Sequence, residues 1–234
     1  MTISVGVIGN TGKTGNALVS LIKEENSFNL GKCFNKKSLH SLGEVFNEND
    51  YIVDFSNSAL TESVLRAAIS CPKPLVLCVT GFTENKLIAN LIENLATKSC
   101  VVIAPNTSIG ACLQRFLAEK IATLLDSEYD IDILEKHHCH KLDKPSGTAI
   151  DLVDSLKKKI KEKSIQVNSI RSGNLPGEHE VSFVSNFESI SIKHTVFERI
   201  LFAKGALKIL HWLKSNHSYG IYKMTDVLGL KSNF

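Results

Sequence analysis

Between Glu135 and Ala149 the chain reads EKHHCHKLDKPSGTA, a segment that gathers three histidines, a lysine and a Pro-Ser-Gly-Thr turn. General acid–base chemistry needs a side chain that titrates near neutral pH, and histidine does so without perturbation, which makes His137, His138 and His140 candidates. Lys141 adds a compact cation. Ser146, Gly147 and Thr148 stand before the amphipathic run TAIDLVDSLKKKI, so a helix should start there with free backbone N–H groups, an arrangement that attracts a carboxylate or phosphate. Any one histidine is more often a surface residue or a satisfied core residue. Charged and titratable groups crowded around one small turn cost stability, and a ligand explains that cost better. The competing metal reading of His137, His138, Cys139 and His140 fails on spacing: adjacent residues rarely chelate one ion, and no second cluster completes four ligands. No metal is expected.

A second chemical feature lies near the start. The apolar run ISVGVI leads into Gly9-Asn10-Thr11-Gly12-Lys13-Thr14-Gly15 and then an amphipathic helix, which places glycines where a dinucleotide pyrophosphate meets a helix N-terminus. The spacing is GxxGxxG and not the usual GxGxxG, so an ordinary tight turn between strand and helix stays open as the alternative. No Gly-Lys-Ser/Thr follows Gly9 in the register of a phosphate-binding loop of the Walker type. Where an NAD-preferring site carries an acid about 20 residues on, this chain has Asn35-Lys36-Lys37. A carboxylate there would repel a 2′-phosphate and lysines would attract it, so NADPH is expected to serve at least as well as NADH. The competing reading makes Lys36 and Lys37 solvated loop charges.

These residues need a scaffold, and the first half supplies one by alternation: ISVGVI, NLGKCF, YIVDF, PLVLCV and VVIAP are separated by helical patterns from about Lys13, Ala59 and Glu84. Repeated βα units predict an α/β fold with a Rossmann-like doubly wound parallel sheet. A helix from Ile109 to Leu125 and the strand YDIDILEK lead into the histidine segment. From Ile165 strand follows strand (SIQVNSIRS, HEVSFVSN, ESISIKHTVF), which predicts a smaller α+β domain with an open mixed sheet. A helix around Gly205 to Lys214 precedes a tail. The expected division is a dinucleotide-binding domain over 1–108, with 209–234 returning to it, and a substrate-binding and oligomerisation domain over 109–208. Were YDIDILEKHHCHK one continuous strand, His138 would point away from His137 and Lys141, so the strand is expected to end near Glu135 with the histidines in a loop. Glu135 is then a candidate orienting partner for one of them, or a simple surface acid.

Composition excludes other classes. The chain has 234 residues, 43% of them hydrophobic, and a formal net charge of +3, with a pI near 8.5. That charge is too mild for a nucleic-acid binder, and the basic run Lys157 to Lys163 alternates with apolar positions like a solvated helix face. Six scattered cysteines without a CxxC pair suggest neither a disulfide framework nor a zinc ribbon. The opening residues do not read as a secretion signal and no stretch reaches membrane-spanning length, so the expected location is cytoplasmic.

Taken together these motifs resemble the 4-hydroxy-tetrahydrodipicolinate reductase family of diaminopimelate and lysine biosynthesis. Its signature, E-x-H-x-x-x-K-x-D-x-P-S-G-T-A, is matched at Glu135, His137, Lys141, Asp143, Pro145, Ser146, Gly147, Thr148 and Ala149. Further agreement runs through the glycine loop, Val53-Asp54-Phe55-Ser56, Thr80-Gly81-Phe82, Ala104 to Gly110, Arg171-Ser172-Gly173, Gly177-Glu178-His179, Phe202 to Gly205 and Asp226-Val227-Leu228. The resemblance implies hydride transfer from NADPH or NADH to a cyclic dicarboxylate. It makes His137 the proton donor or acceptor, Lys141 a second proton donor, and His138, Gly147 and Thr148 substrate ligands. Cofactor contacts would fall on Gly9 to Thr14 (Gly9, Asn10, Thr11, Gly12, Lys13, Thr14), Lys36, Cys78, Val79, Thr80, Ala104, Pro105, Asn106 and Thr107. A homotetramer is implied too. Departures from the family are Cys78-Val79 where Gly-Thr is frequent, Thr107 where an aromatic is usual, and Asn35 in place of the acid. Related chemistry, such as aspartate dehydrogenation, and a non-catalytic nucleotide sensor are the alternatives.

Overall fold

The apolar runs of the first half become strands buried on both faces, as a parallel sheet between two helical layers requires. The computed structural model describes residues 2–81, 85–160, 164–216 and 218–230. In chain order it forms β1 (Ile3–Ile8), α1 (Lys13–Glu24), β2 (Phe28–Leu30), α2 (Leu42–Glu48), β3 (Tyr51–Asp54), α3 (Ser58–Ser70), β4 (Leu75–Leu77), α4 (Lys86–Ala96) and β5 (Cys100–Ile103). Then come α5 (Ile109–Leu124), β6 (Asp130–His137), α6 (Gly147–Lys157), β7 (Ile165–Arg171), β8 (Gly177–Val184) and β9 (Ser189–Val196). Finally α7 (Ile200–Ser215), β10 (Gly220–Lys223) and α8 (Met224–Val227) close the chain.

Two compact units result, Met1–Thr107 with Ile200–Phe234, and Ser108–Arg199. The first holds a six-stranded sheet in the order β10-β5-β4-β3-β1-β2, all neighbours parallel. This is the Rossmann-like sheet. Ile8, Ile52, Leu75, Leu77 and Val101 pack with Phe46, Val64, Leu65, Ile88 and Ile92 in one apolar core. The whole of α7, and not only its part from 209, belongs to this unit, where it packs on α1.

In the second unit the sheet runs β7-β6-β8-β9, with β6 parallel to β7 and the other pairs antiparallel. The mixed sheet expected from the late strands is therefore present. Along β6 burial alternates strictly, with Ile131, Ile133, Glu135 and His137 buried and their neighbours not. Ile131 and Ile133 meet Ala118, Ala122, Leu152 and Leu156 of α5 and α6, so the helices cover the face that also carries Glu135 and His137.

Several local expectations shift. The strand expected over NLGKCF is β2 plus one isolated bridge from Phe34 to Ile8. Between them the buried side chain of Asn49 takes over the backbone, donating to the Lys32 carbonyl (3.0 Å). Helix α2 lies between NLGKCF and YIVDF, where no element was expected from the sequence, and β10 lies in the expected tail. The helix expected from about Glu84 begins at Lys86, capped by Asn85, and Glu84 itself lies outside the described residues, as do Phe82, Lys161 and Lys163. Among the described residues no helix is long and apolar enough to cross a membrane.

Candidate active site

Strand β6 continues to His137, two residues past the expected end, because its backbone still pairs with β7: His137 lies opposite Arg171, and Ser172 N donates to the His137 carbonyl (2.9 Å). The chain turns only after it. Lys141 N bonds the His138 carbonyl (3.1 Å), which closes a turn holding Cys139 and His140. His137 is thus the last residue of a buried strand face, while His138, Lys141 and the exposed His140 belong to the loop.

On that face four polar side chains interlock. Glu135 is fully buried, lies opposite His179 of β8 and Ser169 of β7, and receives the Nδ1–H of His137 on Oε2 (2.5 Å). Arg171 grips both carboxylate oxygens, NH1 to Oε2 at 2.8 Å and NH2 to Oε1 at 2.6 Å. Ser146 N adds a longer bond to Oε1 (3.3 Å). Burial opposes ionisation of Glu135, yet the bonds from Arg171, Ser169 and His137 outweigh it and hold the carboxyl at about 2. Burial also lowers the His137 ring below its ordinary value; Glu135 counters it, and the Lys141 and Arg171 charges reinforce it. His179, edge-on to His137 with ring centroids 5.1 Å apart, is pushed down to about 4 by burial and then by the neighbouring His137.

Ser146 joins this group to α6. Its Oγ lies 2.8 Å from His179 Nε2 and caps the helix by accepting from Ala149 N (3.2 Å). The amides of Gly147 and Thr148 are the first of the helix, with no preceding helical carbonyl to bond. In front of Gly147 a Cβ would meet nothing within 4 Å, so this helix end is open to a ligand. Lys141 pairs with Asp143 (2.8 Å), whose carboxyl that bond holds below its ordinary value. His138 Nε2 is 3.5 Å from Arg199 NH2. The second unit therefore brings together Glu135, His137, Arg171, His179 and Ser146, and separately sets His138 beside Arg199. From the sequence, Arg171 and His179 stand out only as members of segments that match the family, with no role given to either. The available signal was a charged or titratable residue at a buried position of a strand with period-two burial.

Glu135, His137 and His179 offer ligand atoms within 4.8 Å of one another, a convergence that a metal could use. The guanidinium of Arg171 and the His137 ring already occupy the carboxylate a cation would need, and His179 Nε2 is engaged by Ser146, although His179 Nδ1 is buried without a partner among the described residues.

In the first unit the glycine turn has the geometry a pyrophosphate cradle requires. Gly9 adopts φ +82°, and a Cβ there would lie 2.6 Å from the Phe55 carbonyl oxygen. At Gly15 a Cβ would lie 2.2 Å from the Gly9 oxygen, so loop and helix start touch through bare backbone. Gly12, Thr11 and Lys13 are exposed at the tip, with Asn10 and Thr14 half-buried. Asn35 ties in the next strand end by donating to Asn10 Oδ1 (3.0 Å), and Lys36 is exposed. Thr80 and Pro105 are exposed and Asn106 half-buried, whereas Cys78, Val79 and Ala104 are buried. The Thr107 hydroxyl is committed to the Phe202 carbonyl of α7 (2.7 Å). The residues fit a dinucleotide; with Cys78, Val79 and Ala104 buried, any contact at these positions would be left to backbone atoms.

Comparison with known proteins agrees over nearly the whole length. Family models described as dihydrodipicolinate reductase, N-terminus, and dihydrodipicolinate reductase, C-terminus, match residues 3–107 and 110–228. The 4-hydroxy-tetrahydrodipicolinate reductase of Chlamydia caviae is 43% identical over 224 residues, covering 89% of this chain and 91% of that one. Its namesake from Chlamydia muridarum is 38% identical over 235 residues, covering 97% and 96%. Among solved structures, a dipicolinate-bound dihydrodipicolinate reductase from Paenisporosarcina sp. TG-14 superposes with a TM-score of 0.80 over 97% of this chain and 99% of that one; at 20% identity this likeness speaks for the fold. Matches at this identity, spanning both units and the histidine–lysine segment, leave one conclusion: the chain belongs to the dihydrodipicolinate reductase family.

Proposed function

We propose that this chain is an NAD(P)H-dependent reductase converting 4-hydroxy-tetrahydrodipicolinate to tetrahydrodipicolinate, a step in diaminopimelate and lysine biosynthesis. The observation that carries the reading is the Glu135–Ala149 segment, complete in sequence and folded into a buried Glu135–His137 pair beside an open helix start. Substrate and product differ by one oxygen, so a hydride and a proton enter while the 4-hydroxyl leaves as water. The nicotinamide supplies the hydride when bound, and the glycine turn at 9–15 with residues 36, 78–80 and 104–107 would hold it. His137 and Lys141 handle the protons. His138, Gly147 and Thr148 bind the substrate, the first two helical amides of α6 offering N–H donors to a carboxylate.

Exposed Lys36 beside Asn35, with no acid to repel a 2′-phosphate, supports use of NADPH at least as readily as NADH. All six cysteines are unpaired, which fits a reducing compartment such as the cytoplasm. The test is oxidation of each cofactor in a coupled assay that generates substrate from pyruvate and aspartate semialdehyde. His137→Ala and Lys141→Ala are each expected to lower kcat by about 10² to 10⁴. Full rates in both variants would refute the assignment, and a strong NADH preference would refute the cofactor reading.

A further inference from the structure

A buried carboxylate beside a histidine ordinarily draws a second proton onto the ring, because the opposite charge stabilises the imidazolium. Glu135 is such a carboxylate, with no exposure to water and His137 Nδ1 at 2.5 Å. Yet the two oxygens are saturated: Arg171 takes both, Ser146 N takes one, and His137 takes the other. We propose that Arg171 is a positioning residue for proton transfer: by neutralising Glu135 it lets that carboxylate hold the His137 ring with Nδ1–H inward, without loading Nε2 with a proton.

The surroundings of His137 bear this out element by element. Glu135 on β6 attracts a proton; Arg171 on β7 and Lys141 in the following loop repel one; His179 on β8, itself held down to about 4, packs edge-on to the ring, Asp143 is occupied by Lys141, and Ser146 at the start of α6 is uncharged. Glu135 raises the ring's hold on a proton by its hydrogen bond and its charge, Arg171 on the other side of the same carboxylate–guanidinium fork opposes it together with Lys141, and burial, the largest influence, leaves the ring below its ordinary value. Its Nε2 faces Gly177, where a Cβ would lie 3.0 Å away, so the lone pair keeps an approach only because that residue is glycine. Arg171 NH2 also bonds the Asp143 carbonyl (2.5 Å), which fixes the loop between Lys141 and Ser146 to the same guanidinium. Its charge is spent inside the protein, leaving Lys141 and the Arg199–His138 pair to meet a dicarboxylate. In the resting protein His137 is therefore poised as the proton acceptor.

The inference rests on His137 as the proton-handling ring, and the experiment separates the two. The His137 imidazole is titrated by NMR in the unliganded protein, assigned against His137→Ala, and the pH profile of kcat/KM is measured in parallel. Glu135→Gln should lower the titration midpoint and Arg171→Met raise it, each by about one pH unit, the lower end for a charge within 4–6 Å. Arg171→Lys should stay nearer the wild type. The double variant, lacking both charges, should return toward the wild-type midpoint. Should Arg171→Met not fold, the double variant is compared with Glu135→Gln, and loss of the cation must raise the midpoint. A midpoint unmoved or lowered by removing Arg171 would overturn the proposal. Midpoints that move as stated without matching changes in the rate profile would instead count against His137 in the reaction.

Discussion

At Gly147 the demands of stability and of ligand binding point in opposite directions, which makes this residue a clean probe. Glycine at a helix start costs conformational entropy, and the space before it is empty. Gly147→Ala should therefore leave the melting temperature unchanged or raise it, by up to about 1 kcal/mol in stability. The same methyl would stand between the substrate and the first helical amides, so KM should rise about tenfold, as the loss of one charge-assisted bond implies. Thermal melts beside steady-state kinetics check both halves; unchanged KM would remove the α6 start from the substrate site. At this scale much was legible. The histidines, the lysine and the turn announce acid–base work at an anion site, and Glu135 could be suspected. Arg171 and His179 could not, since the pairing of β7 and β8 against β6 brings them in from 34 or more residues away, and no local pattern encodes which residue lands opposite which.

Among the elements, the glycine turn meets the start of α1 at Gly15 through bare backbone. A Cβ at Gly15 would lie 2.2 Å from the Gly9 oxygen, and neither group is a flexible side-chain end that could move aside. Gly15→Ala should cost roughly 1–3 kcal/mol, the range for overpacking, and weaken binding of either dinucleotide. Urea melts and fluorescence titration with NADPH report the two effects; a fully stable variant with unaltered binding would show that the cradle is not this turn. The βα rhythm made the first sheet readable because parallel strands buried on both faces are written as continuous apolar runs. Helix α2 escaped that reading, although Ser41 and Glu44 form a complete capping box, a signal present in the sequence. Strand β10 escaped for a better reason. It is a four-residue edge strand with half-exposed alternation, and only its pairing with β5 makes it a strand.

For the molecule as a whole, pH dependence and assembly are the measurable quantities. Asp54 at the end of β3 is fully buried, accepts Ser56 N (2.8 Å), and is raised to about 6 by burial. A carboxyl whose folded pKa exceeds its unfolded value contributes most below the unfolded value, near 3.9, and loses that contribution as pH rises through about 6. Asp54→Asn, which keeps an acceptor for Ser56 without the charge, should gain on the order of 2–3 kcal/mol at pH 8 and little at pH 4. Urea denaturation at the two pH values measures it; equal effects at both would place the cause elsewhere. The open face of the second sheet carries Lys136, Glu178 and Lys193, linked at 3.0–3.2 Å, with exposed Ile170 and Val184, and it is the face expected to be covered in the homotetramer that the family resemblance implies. Light scattering should then give about four times the 25.7 kDa chain mass. The alternation of β6 has one more consequence. A slip of that strand by one residue would turn Glu135 and His137 outward, and it would turn Ile131 and Ile133 out with them. Misaligned chains therefore lose their apolar core together with their proton-transfer pair, so a population of this protein should not contain molecules that are well folded yet catalytically misaligned.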